Sequence, residues 1–257
     1  LSQIMLTSMQ NSKIQWVRTL LAHKKERHQE KAFVCEGIRL AEEAIRHQQR
    51  PLLAFYSSAL TERGKALLEQ CDCEKLEVAA ELLDRISATE TSQGLLLVIP
   101  FPEISFPEQI NCCMVLDGIQ DPGNFGTILR AAAAFGLQSL LYTSGCVDPY
   151  SPKVVRSAMG AHFQLPLRQT NPAEIEVLAQ NTHLYLAEAQ SGIPCWQADL
   201  RQPITVVIGS EAFGIAQSIR QLPHQNLLIP MPGAMESLNA AMSANILLYE
   251  IARQRSA

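Results

Sequence analysis

Five short apolar runs in the second half of the chain constrain its fold more than any other feature. "CCMVLDG", "QSLLYT", "HLYLAEA", "ITVVIGS" and "NLLIPM" recur with helix-like stretches between them. Helices are expected at 124–135, 151–159, 172–181 and 212–221, with a final long one from about 236 to 254. A strand that is apolar along its whole length is buried on both faces, and strands joined through helices run parallel. The pattern implies a mainly parallel α/β sheet covered on both sides. In such sheets ligands sit beyond the carboxyl ends of the strands, which directs attention to the loops after "VLDG", "VVIG" and "LLIP".

The first hundred residues alternate on a smaller scale. "NSKIQWVRTLLAH" places Ile14, Val17, Leu20 and Leu21 on one helical face. "AFVCEG", "PLLAFYS", "KLEVAA" and "GLLLVIP" read as strands. "IRLAEEAIRHQ" and "TERGKALLEQ" read as helices, the second capped by Thr61. These form a small α/β domain over residues 1–99. "PFPEISFPEQ", with three prolines and no period, marks a linker at 100–110, and 111–257 form the second domain.

With 47% hydrophobic and 18% charged residues the chain is globular rather than disordered. No apolar run approaches the roughly 20 residues of a membrane helix, and the opening "LSQIMLTSMQNSK" lacks the pattern of a secretory leader. Seven cysteines without a CxxC pair argue against a disulfide framework and a structural zinc site. Reduced thiols in a cytosol, with no metal and no membrane, are the expectation. Net charge is −4, but it is unevenly spread. Residues 1–50 hold nine Lys+Arg against five Asp+Glu, or +4, and the remainder holds twelve against twenty, or −8. On charge alone "HKKERHQEK" is a solvated face; a polyanion at that end is the other reading.

The three loops are rich in glycine and polar residues. "DPGNFGTILR" sets Asn124 in a turn and Arg130 about a turn and a half into the following helix. "VVIGSEAFGI" ends a strand in Gly209 and continues into Glu211, a carboxylate suited to a helix's first turn. "LLIPMPGAMESLN" breaks the backbone at Pro230, Pro232 and Gly233 before Ser237 and Asn239, residue types common as helix caps. A dinucleotide-dependent oxidoreductase would need a GxGxxG loop after an early strand, and "DPGNFGTILR" lacks that spacing.

Taken together and in this order, "NFGTILR", "IGSEAFG" and "IPMPGAMESLN" resemble the three motifs of the SpoU/TrmH family of RNA 2′-O-ribose methyltransferases. The stretch before the linker is similar to that family's substrate-binding domain, itself like RNA-binding ribosomal proteins. The chain departs from the usual pattern at Ala212, where glycine is common, and at Asn245, where a small residue is. A catalytically silent RNA-binding protein of the same fold would be expected to have lost a polar motif residue, and none is lost.

The resemblance implies a carboxyl-terminal trefoil-knot domain that binds S-adenosylmethionine, and a homodimer with the active site near the subunit contact. It implies cofactor binding around Leu186, Ala187, Gly209, Ile229 and Leu238, with Arg130 facing the target ribose. Asn124, Glu211, Ser237 and Asn239 would orient the arginine, the ribose or nearby backbone. It turns the basic segment, with Lys24, Lys25, Arg27 and Arg39, into an RNA contact. Ribosomal RNA is favoured and transfer RNA stays open. The family proposal makes the arginine a base. A free guanidinium titrates above about 12, so holding a phosphate and stabilising the developing alkoxide is the chemistry its charge favours.

Overall fold

The computed structural model describes residues 5–88, 92–233 and 235–256. The first four residues of the opening stretch, 89–91, Ala234 of the third loop and 257 lie outside the described residues. In chain order the first half builds α1 (Ser12–Ala22), α2 (Lys24–Glu30), β1 (Ala32–Glu36), α3 (Ile38–Arg46), β2 (Leu53–Tyr56), α4 (Glu62–Gln70), β3 (Glu74–Glu77), α5 (Ala80–Ile86) and β4 (Leu95–Pro100). The second half builds β5 (Cys112–Asp117), α6 (Pro122–Ala134), β6 (Ser139–Tyr142), α7 (Pro152–Ala158), β7 (Leu167–Gln169) and α8 (Pro172–Asn181). It continues with β8 (His183–Glu188), β9 (Ile193–Pro194), β10 (Ile204–Gly209), α9 (Gln217–Arg220), β11 (Gln225–Leu228) and α10 (Ala240–Arg255). No helix among the described residues is long and apolar enough to cross a membrane.

Two compact units form, and they do not follow sequence order. Residues up to Glu103 group with Asp148–Phe163, and Ile104–Val147 group with the residues from Gln164 onward. The first unit is built on a four-stranded sheet in the order β1-β4-β2-β3. Pairs β1–β4 and β2–β4 are antiparallel, and β2–β3 is parallel. Asn11 caps α1 by accepting from Lys13 N at 2.9 Å. Ile14, Val17 and Leu20 of that helix are fully buried against Val34, Phe55 and Val98. Each such burial stabilises by about 1.5–3 kcal/mol. Thr61 caps α4 as expected, accepting from Gly64 N at 3.3 Å.

The charge run folds as α2, whose one buried residue is an arginine. Arg27 is 3% exposed. Its Nε donates to Asp148 Oδ2 at 2.7 Å, its Nη2 pairs with the same oxygen at 2.6 Å, and its Nη1 donates to Leu20 O at 2.6 Å. This corrects the expectation that Arg27 contacts RNA: the guanidinium is consumed inside the unit. Lys24, Lys25 and Arg39 are exposed.

An aromatic cluster explains why 148–163 packs with the first unit. Tyr150 stacks on Phe101 at 3.7 Å, and Phe33 lies 5.2 Å from Tyr150 and 6.1 Å from Phe163. His162 contacts Pro149 O through Nε2 at 2.8 Å, and burial pushes its imidazole down to about 4. It is therefore a neutral donor at neutral pH.

The second unit holds a seven-stranded sheet in the order β7-β6-β5-β10-β8-β11-β9, with every pairing parallel. Its five inner strands are the apolar runs of the sequence. Two helix expectations need correction. Over 212–221 only Gln217–Arg220 is helical. Before it, Ser210 and Gly214 exchange backbone hydrogen bonds of 3.2 and 2.9 Å, and Gly214 adopts φ +65° to close the turn. The last helix begins at Ala240 rather than 236, because Asn239 caps it by accepting from Met242 N at 2.7 Å.

Candidate active site

Strands β5, β10, β8 and β11 are neighbours, so their carboxyl ends and the loops that follow converge on one edge of the sheet. Asp117, the last residue of β5, is 7% exposed. One oxygen accepts from Thr143 Oγ1 at 2.8 Å and the other from Ala216 N at 2.7 Å. A buried carboxylate satisfied in this way fixes the second loop against the ends of β5 and β6.

The three loops meet on one atom. Asp121 caps α6 by accepting from Asn124 N at 2.7 Å, which orients the Asn124 side chain. Asn124 Nδ2 then donates to Glu211 Oε1 at 2.7 Å, and Ala240 N donates to the same oxygen at 3.0 Å. Charge-assisted bonds of this kind are about twice as strong as neutral ones. Glu211 thus joins the first loop, its own loop and the start of α10. Gly209 permits this closeness: a Cβ there would stand 2.4 Å from Gly214 C.

Beside this joint lies a cavity of about 230 Å³. Ala187, Gly209, Ile229 and Leu238 line it, together with Glu211 and Ser237. Leu186, grouped with these in the sequence, is instead fully buried in the core beside Ile175 and Val207. Strand alternation turns it away from the wall that Ala187 faces. Asn239 acts as the helix cap. Arg130 is exposed on α6 and is not part of the cavity wall.

Glu188 and Arg220 also line the cavity and were not singled out in the sequence. Arg220 Nη2 lies 2.6 Å from Glu188 Oε1, and Arg220 Nε donates to Ile215 O at 3.0 Å. Oε1 is buried, and despite that ion pair it makes no aligned hydrogen bond among the described residues. The sign in sequence for Asp117 and Glu188 is the same: a carboxylate ending an apolar parallel strand. No cysteine lines the cavity, and burial pushes Cys113 up to about 12 and Cys73 up to about 11. Such thiols stay protonated and are poor nucleophiles.

Residues 111–249 match the SpoU rRNA Methylase family, and residues 11–97 match the MRM3-like substrate binding domain. The chain belongs to the SpoU rRNA methylase family. Within it, the 23S rRNA (guanosine(2553)-2'-O)-methyltransferase RlmP of Bacillus subtilis is 30% identical, over 96% of this chain and 98% of that one. The 23S rRNA (uridine(2479)-2'-O)-methyltransferase of Streptomyces viridochromogenes is 31% identical, over 95% of this chain and 91% of that one. Among solved structures, the SpoU methyltransferase AviRb from Streptomyces viridochromogenes in complex with AdoMet aligns with a TM-score of 0.85 at 28% identity, covering 96% of this chain and 99% of that one. The SpoU domain match contains all three loops joined at Glu211.

Proposed function

We propose that this chain transfers a methyl group from S-adenosylmethionine to a ribose 2′-hydroxyl of RNA, with ribosomal RNA of the 23S type favoured over transfer RNA. The observation that carries the proposal is the meeting of the three motif loops at Glu211 Oε1, beside a cavity at the carboxyl edge of a parallel sheet.

The cavity suits the cofactor's chemistry. Ile215, Leu227, Ile229 and Leu238 offer apolar walls for an adenine, and the Glu188 carboxylate, ion-paired with Arg220 at 2.6 Å, adds a polar group to the lining. At about 230 Å³ it is smaller than the roughly 300–1,000 Å³ of whole ligand pockets. A cleft of about 570 Å³ that shares Ala189 and Met231 with it supplies the remaining space.

Bound there, S-adenosylmethionine supplies a methyl group made electrophilic by its sulfonium. Arg130 holds the phosphate beside the target nucleotide and stabilises the charge that develops on the 2′-oxygen. The proton passes to that phosphate, so no neutral guanidine is needed. Asn124 and Glu211 fix the geometry of the loops, and Ser237 presents a hydroxyl at the cavity wall.

Residues 1–99 serve as the RNA substrate-binding domain, with Lys24, Lys25 and Arg39 on the RNA, 100–110 as the linker and 111–257 as the knotted methyltransferase domain. These are functional boundaries; in packing, Asp148–Phe163 goes with the first unit. The working form is a homodimer. Its support is the α6–α10 face, where Phe135 and Tyr249 are 39% and 57% exposed and meet edge-to-face at 6.1 Å. Arg130 stands on the same helix as Phe135's turn, outside the wall of its own cavity, where a second copy can bring it to the cofactor. Seven free thiols, six of them buried, fit a cytoplasmic setting. Arg130→Ala tests the assignment: methyl transfer is lost while S-adenosylmethionine binding, read by calorimetry, persists. Near-normal turnover contradicts it.

A further inference from the structure

The first unit carries a groove that the motif loops leave unused. It lies where the end of α1 meets the end of α5 and has a volume of about 290 Å³. Arg18 and His23 line it from one side and Arg85 from the other, and among the described residues no Asp or Glu lines it. All three side chains are exposed, and none makes a hydrogen bond or ion pair with another described residue.

The groove's neutral donors are already engaged. Gln15 Nε2 donates to Met9 O at 2.5 Å, and Thr19 Oγ1 donates to Trp16 O at 2.7 Å. What remains is two guanidinium forks and an imidazole, with exposed Lys24 and Lys25 following on the next helix. The wall is held in place from behind, since Arg27 Nη1 donates to both Leu20 O and Leu21 O and so anchors the end of α1 to Asp148. A preformed cleft with cationic forks that no described carboxylate compensates complements a polyanion whose charges are planar and doubly accepting.

We propose that this groove binds the phosphodiester backbone of the substrate RNA, with Arg18 and Arg85 neutralising adjacent phosphates. The proposal rests on the methyl-transfer reading for the identity of the polyanion. Its test uses no cofactor, so failure here and failure of methyl transfer are separate results.

The experiment is filter binding of an unmodified 23S rRNA transcript to the full chain between 50 and 300 mM KCl. Each neutralised phosphate contributes about 0.7–0.9 to the slope of log affinity against log salt. The Arg18→Gln/Arg85→Gln protein is expected to lose about 1.5 from that slope, which corresponds to about 30-fold weaker binding at 0.1 M salt. Arg18→Lys/Arg85→Lys, which keeps the charges, should retain the slope. Arg50→Gln, an exposed charge outside the groove, should retain it too. An unchanged slope in the double Gln protein overturns the proposal, as does a loss per charge in Arg50→Gln equal to that in the groove. Displacement of the transcript by poly-glutamate as readily as by unlabelled RNA would assign the groove to an acidic protein and overturn it as well.

Discussion

Replacing Arg27 with alanine should destabilise the first unit far more than its position in a charged run suggests. The guanidinium makes two contacts to Asp148 Oδ2, at 2.7 and 2.6 Å, and donates to Leu20 O and Leu21 O at 2.6 and 3.2 Å. The side chains of Arg27 and Asp148 are only 4% and 5% exposed. Without the arginine, Asp148 keeps His28 at 3.1 Å and Tyr150 N at 3.2 Å, but its strongest counter-charge is gone. Removing one member of a buried pair costs about 3–5 kcal/mol, because the other is left uncompensated. At about 2–4 °C per kcal/mol for a chain approaching this size, the melting transition should fall by roughly 6–20 °C. Differential scanning calorimetry measures it, with Lys24→Ala on the same helix as the exposed control, expected within about 0.5 kcal/mol of the parent. A transition within 1 °C or so of the parent would refute the buried-pair account.

Gly209→Ala forces a Cβ to within 2.4 Å of Gly214 C. The expected cost is about 1–3 kcal/mol of stability, together with weakened S-adenosylmethionine binding by calorimetry, because the second loop must move. His162 titrates near 4 in the folded chain against 6.5 when free, so the unfolded chain binds more protons between those values. Its contribution is fully present above about pH 6.5 and lost as pH falls through about 4, a change of order 3 kcal/mol. Urea melts across that window should show a shallower acid decline in His162→Gln. Tyr249→Asp places a charge on the exposed α6–α10 face and should yield monomers by analytical ultracentrifugation, whereas a persistent dimer would put the subunit contact elsewhere.

Strands β5, β6 and β10 were legible because a strand buried on both faces is written as an uninterrupted apolar run, and the partly buried β8 and β11 were legible from shorter apolar stretches. The edge strands were not: β7 is Leu-Arg-Gln and β9 is Ile-Pro, segments too short and too polar to carry a period. Helix α2 was hidden for a different reason. Its inward residue is Arg27, whose partner Asp148 lies 121 positions away, so no local pattern could separate it from a solvated face. The same distance hid the allegiance of 148–163, which depends on Phe33 and Phe101 receiving Tyr150. At the candidate site, Asn124, Glu211 and Ser237 were singled out through their motifs; the structure joins Asn124 and the start of α10 on one Glu211 oxygen and sets Ser237 in the lining of the neighbouring cavity. Asp117, Glu188 and Arg220 were missed. The first two read locally as strand ends, and Arg220 has meaning only through the partner it finds across the loop. The short α9 reflects Gly214, whose left-handed backbone closes a turn inside a stretch of otherwise helix-compatible residues.

The most direct test of the central claim is the position of the methyl group itself. The full chain is incubated with methyl-labelled S-adenosylmethionine and unmodified 23S rRNA transcript, the RNA is hydrolysed in alkali, and the labelled products are separated. A 2′-O-methyl ribose blocks cleavage of the adjoining linkage, so label is expected in an alkali-resistant dinucleotide. Label recovered in mononucleotides, as a methylated base, would contradict it.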